Sequence, residues 1–137
     1  MKAYTDIEQS KKLAEILPLE TSDHHYVRKV QDSMGKLVDG KWSTPKYGNP
    51  NSSHANYMVM GFTNYEIIPC WSLAALLDVL QKTAYFIDED ANVVLCSYKT
   101  VEWNLGINNS DVEFTTKTNP VDACVEIIEK LNEQKLL

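Results

Sequence analysis

The stretch that decides the fold is Asn119-Pro120-Val121-Asp122-Ala123-Cys124-Val125-Glu126-Ile127-Ile128-Glu129-Lys130-Leu131. Asn119 has the side chain of a helix N-cap, and Pro120 follows at the first helical position, where a missing N–H costs nothing. Val121, Cys124, Val125, Ile128 and Leu131 recur at i, i+3, i+4, i+7 and i+10, one apolar stripe of an α-helix. Asp122, Glu126, Glu129, Lys130 and Glu133 lie off it. A helix with one apolar stripe needs a second layer to cover it, and the residues before it supply strands.

Working back from that helix, Asp111 to Lys117 reads as a strand with Val112, Phe114 and Thr116 on one face, entered through a turn at Asn108-Asn109-Ser110. Val101, Trp103, Leu105 and Ile107 alternate with polar or small residues, the pattern of a half-buried strand. It is read as a continuation of Val93–Tyr98 through a bend at Lys99-Thr100. Ala84-Tyr85-Phe86-Ile87 is read as another strand, joined to Val93–Tyr98 by the polar turn Asp88–Asn92. Before these lies an apolar helix from Leu73 to Leu80, with Ser72 as N-cap and Trp71 and Leu76 at the spacing of a hydrophobic staple.

The first half is less regular. Thr5 and Glu8 have capping-box spacing for a first helix over 6–17, stopped by Pro18. His25 to Gln31 reads as a strand, Asp39-Gly40 as a hairpin turn between 36–38 and 41–43, 43–53 as an exposed loop, and Asn56 to Phe62 as a central strand. The expectation is a single α+β domain over 1–137: an antiparallel sheet with three packed helices, an α-β sandwich.

Composition bounds the function. The chain has 137 residues, 44% hydrophobic and 23% charged, with net charge −6. These values exclude collagen, a disordered tail and a membrane span, and disfavour a strongly basic nucleic-acid binder. Residues 1–65 carry 8 basic and 7 acidic groups; residues 66–137 carry 5 and 12. Cys70, Cys96 and Cys124 are widely spaced and form no C-x-x-C pair, so free thiols are expected. With no apolar leader at the start, a cytoplasmic protein is expected.

Three segments together carry a resemblance: Ile68 to Leu80, Asn119 to Leu131, and Met1 to Ser10. They resemble small proteins of gut Bacteroides-type bacteria and their prophages, a group with no assigned activity. The closing strand-turn-helix is similar, more loosely, to phage proteins described as a helix–sheet–helix sandwich. The resemblance implies a phage- or mobile-element-type protein and brings no catalytic residue or cofactor with it.

Candidate chemistry is sparse. Asp88-x-Asp90-x-Asn92 matches the start of an EF-hand loop, but Val93 and Lys99 occupy the glycine and closing-glutamate positions, so a polar turn is expected. Cys70 stands just before a helix N-terminus and would need His24, His25 or His54 as a base to act as a nucleophile in a cleft. His24 and His25 point to opposite faces of a strand, which disfavours a shared metal. A weak nucleic-acid surface over 24–49 would need Arg28, Lys29, Lys36, Lys41 and Lys46 on one face. No catalytic residue, cofactor or metal is assigned. The reading that remains is a non-enzymatic protein-interaction module. Its warrant is the nearly all-apolar second helix, whose Leu73, Leu76, Leu77 and Leu80, with nearby Trp71, exceed what one sheet face covers. The expected partner is a protein, with a homodimer as the default and no membrane.

Overall fold

In the computed structural model, residues 2–51, 64–98 and 102–137 are described. They show an α+β fold with three α-helices and antiparallel sheets. The strands divide between two three-stranded sheets, and the chain falls into two compact units, Asp6–Trp71 and Met1–Thr5 with Ser72–Leu137. The strand expected over Asn56 to Phe62 lies outside the described residues, as does His54.

In the 6–71 unit, helix α1 spans Ile7–Ala14. Its capping box is one residue later than the sequence suggests: Asp6 Oδ1 accepts from the Gln9 N–H at 2.8 Å, and Gln9 Oε1 accepts from the Asp6 N–H at 3.1 Å. Thr5, the expected cap, is fully buried. The α1 helix packs on β3 with Ser10 and Leu13 buried. A 3-10 turn over Leu19–Thr21 follows, and its Thr21 hydroxyl accepts from the indole N–H of Trp71 at 3.0 Å.

The sheet of this unit has the order β2-β1-β3, with β1 at His24–Lys29, β2 at Lys46–Tyr47 and β3 at Tyr65–Cys70. The register sets His24 opposite Cys70, Tyr26 opposite Ile68 and Arg28 opposite Glu66. The expected hairpin turn at Asp39-Gly40 is instead formed at Asp32–Lys36. There one Asp32 carboxylate oxygen accepts from the N–H groups of Met34 and Lys36, each at 2.9 Å, and Gly35 takes φ +81°. Gly40 serves a different purpose. Its N–H donates to Lys29 O, and a Cβ on it would lie 2.2 Å from that oxygen, so only glycine lets the two backbones approach.

In the second unit, α2 spans Leu73–Ile87 and α3 spans Pro120–Glu133. The sheet order is β4-β5-β6, with β4 at Val93–Tyr98, β5 at Glu102–Ile107 and β6 at Thr115–Lys117. The first two pair antiparallel from Val93↔Ile107 to Tyr98↔Glu102, so Glu102–Ile107 returns beside Val93–Tyr98 rather than extending it. The α3 helix begins as the sequence requires: Asn119 Oδ1 accepts from Val121 N–H at 2.8 Å and Asp122 N–H at 3.4 Å. Val121, Cys124, Val125, Ile128 and Leu131 are all buried, and α3 packs on β5, β6 and α2. Residues 2–5 belong to this unit. Tyr4 bridges to Ser72, Leu73 N–H donates to Ala3 O, Asn119 Nδ2 donates to Lys2 O, and Lys2 Nζ pairs with Asp122 at 2.8 Å.

Candidate functional site

The main departure from the sequence reading lies at the end of α2. Ala84-Tyr85-Phe86-Ile87 is its last turn, not a strand. Tyr, Phe and Ile favour strands in general, but Leu76, Leu80, Thr83, Ala84 and Ile87 stay in phase with the 3.6-residue repeat, and that stripe prevails. The helix starts under a Ser72 cap, whose Oγ accepts from Ala75 N–H at 3.2 Å. Thr83 bonds back to Val79 O at 2.9 Å, so its buried hydroxyl is satisfied. The Asp88 N–H closes the helix on Ala84 O. Asp88–Asn92 therefore joins a helix to a strand, where Asp88 Oδ1 accepts from Asp90 N–H at 2.9 Å. Among the described residues, no group of three His, Cys, Asp or Glu side chains is placed to hold a metal.

Helical geometry turns Tyr85 and Phe86 outward together. Tyr85 is 61% and Phe86 85% exposed, and their rings meet edge to face with centroids 6.4 Å apart. Ala74, Asp78, Gln81 and Lys82 share this outer side. A groove of about 480 Å³ is lined by Asp78, Gln81, Lys82, Tyr85 and Phe86. Within it, Asp78 and Lys82 form an i,i+4 ion pair at 2.8 Å. Both side chains are solvated, so the pair contributes only a few tenths of a kcal/mol to the helix.

The five positions singled out from sequence fall on the other side of α2 or before it. Trp71, Leu76 and Leu80 have no exposed surface, so they offer no area to a partner, while Leu73 and Leu77 are half-buried. The apolar surface left open is aromatic and one to two turns further along. Continuing the helical repeat past Thr83 would have found it.

The thiol candidate is half assembled. His24 stands opposite Cys70 across the β1–β3 pairing, and its Nδ1 lies 3.0 Å from Asp23 Oδ1. Cross-strand partners share a face, so Cys70 and His24 lie on the same side of the sheet. Cys70 has no exposed surface, however, and its other neighbour on that face is Tyr26. Burial pushes the Tyr26 phenol above its ordinary range, and Cys70 and Asp6 add to the shift. His25 turns to the opposite face, where its Nδ1 meets Gly48 O at 2.8 Å. No disulfide joins Cys70, Cys96 or Cys124.

The basic residues of 24–49 do not gather on one face. Arg28 and Lys29 are successive on β1 and point to opposite sides. Arg28 is spent on Glu66 at 2.7 Å and on the Trp42 ring, 4.8 Å from its centroid. No protein-family model, curated protein or solved structure matches the chain. No described helix is long and apolar enough to cross a membrane.

Proposed function

We propose that this chain is a protein-interaction module that docks through the outer face of α2. The observation that carries the reading is the paired exposure of Tyr85 and Phe86 on a regular helix, where they line a shallow groove together with the Asp78–Lys82 pair and Gln81. Two adjacent aromatic rings held in water bring no benefit to the fold of the free chain, whereas aromatic anchors dominate protein interfaces. Placement on a capped helix keeps their loss of freedom on docking small. The buried Cys70 supports this reading over a thiol enzyme, and the opposite facing of Arg28 and Lys29 on β1 supports it over a nucleic-acid surface. Three cysteines without a disulfide suit a reducing, cytoplasmic setting. Phage or mobile-element origin belongs to the same proposal through the sequence resemblance, and genomic neighbourhood tests that part.

A photo-crosslinking amino acid at Phe86, compared with one at Glu133 on exposed α3 surface, tests the docking face in cells. One adduct of defined mass specific to position 86 is the expected result. The absence of any adduct there, or the same adducts from both positions, would overturn the proposal.

A further inference from the structure

We infer that the occupant of the α2 face is a second copy of the same helix, packed antiparallel about a two-fold axis at the level of Leu80. The inference rests on the docking face proposed above and deepens it by naming the partner. Ala74, Asp78, Gln81 and Tyr85 are spaced by four, three and four residues, the seam of two helices packed side by side. Ala74 and Asp78 are exposed at one end of that seam, and at the other end exposed Tyr85 is flanked by exposed Lys82 and Phe86. Antiparallel pairing brings each end against the opposite end of the other copy, because a two-fold interface must be complementary to itself.

The two ends match in size and in charge. Ala74, the smallest side chain of the face, comes against the aromatic pair Tyr85 and Phe86 of the second copy. Asp78 comes against Lys82 of the second copy. The internal Asp78–Lys82 pair becomes a square of four alternating charges across the axis. Parallel packing would instead stack Asp78 on Asp78, Lys82 on Lys82 and ring on ring, leaving the space beside Ala74 empty. Aromatic area sets the strength. Two rings exposed by 61% and 85% remove roughly 300 Å² per copy from water, since an aromatic side chain buries ~200 Å². Both copies together lose roughly 600 Å² of aromatic surface, which even with flanking side chains is a small interface, so the dimer is weak and its population depends on concentration.

Sedimentation of the full chain across micromolar concentrations tests the pairing. Wild-type protein is expected to pass from 15.6 kDa toward twice that mass. Phe86→Ser and Asp78→Lys should each weaken association about tenfold or more. The double swap Asp78→Lys with Lys82→Asp keeps both the internal pair and the cross-axis pairs, and should restore association. All three positions, Asp78, Lys82 and Phe86, are solvent-facing, so the variants keep the fold, checked by an unchanged melting curve. A constant 15.6 kDa mass, or association that ignores Asp78→Lys, or no recovery in the double swap, overturns the self-pairing. If the mass stays constant while position 86 still yields a single adduct in cells, the docking face stands and only its occupant is wrong. If both are silent, both readings fall.

Discussion

Raising the pH above 9 should destabilise the protein through one side chain. Cys124 is fully buried in α3, and burial pushes its thiol from an ordinary value of 9.0 up to about 12. Below pH 9 the thiol is protonated in both folded and unfolded chains, so its contribution is fully present. Between pH 9 and about 12 the folded chain keeps the proton and the unfolded chain loses it. Stability therefore falls with rising pH, by up to about 1.4 kcal/mol per pH unit. Because the transition at the unfolded value is gradual, the loss from pH 9 to pH 10 is roughly 1 kcal/mol. The perturbation is Cys124→Ala, which removes the titrating group at a constant packing cost on the order of 1 kcal/mol. The assay is urea unfolding under a phosphine reductant, wild type against variant, at steps from pH 7 to pH 10. The gap between the two should be constant up to about pH 8 and then shrink by roughly 1–1.5 kcal/mol by pH 10, enough to cancel it. Tyr26, also shifted upward by burial, titrates in both proteins and cancels in the comparison. A gap that stays constant to pH 10 would refute the reasoning, because it would mean that the thiol ionises as easily in the folded chain as in the unfolded one.

Replacing Ile128 with Asp buries an unpaired charge at a fully buried position and should unfold the chain, at a cost on the order of several kcal/mol; an unchanged melting temperature would disprove the assigned face of α3. Asn119→Ala removes the acceptor for two helix N–H groups and the donor to Lys2 O, and should lower stability by about 1–2 kcal/mol in urea unfolding. Thiol titration should show Cys96 reacting at once, with Cys70 and Cys124 waiting for denaturant; rapid labelling of all three is the contrary result. Glu66→Gln breaks the half-exposed pair with Arg28 and should cost less than about 1 kcal/mol, with high salt narrowing the difference.

Local signals were legible and long-range pairings were not. The start, phase and buried stripe of α3 follow from Asn119, Pro120 and the spacing of five apolar residues, all within one helix. The end of α2 was misread because Tyr85, Phe86 and Ile87 are strand formers judged in a four-residue window, too short to show that they continue the preceding repeat. Apolar character around the whole helix cannot say which side faces solvent, and the fold uses Trp71, Leu76 and Leu80 internally. Asp39-Gly40 looked like a turn because the pair tolerates positive φ, whereas the glycine there permits close backbone contact. The turn itself depends on the Asp32 carboxylate reaching two N–H groups, with Gly35 at positive φ, a signal present in the sequence but less conspicuous. Whether strands join one sheet or two is set by which edges meet, and alternation along a strand carries no record of that.

The stitching of residues 2–5 onto Ser72, Leu73, Asn119 and Asp122 makes the second unit discontinuous along the chain. During synthesis its first piece emerges more than sixty residues before the strand and helix partners it needs, and its last contact waits for Asp122. The 6–71 segment is thus a topological insertion, leaving and rejoining its host at the adjacent positions Tyr4 and Ser72. Closing that long loop adds little entropic cost beyond a shorter one, since the cost grows only logarithmically with length. An affinity tag fused directly to the start would press on the Lys2–Asp122 and Asn119–Lys2 contacts, so a flexible spacer should recover helix α3 stability lost to a tight fusion.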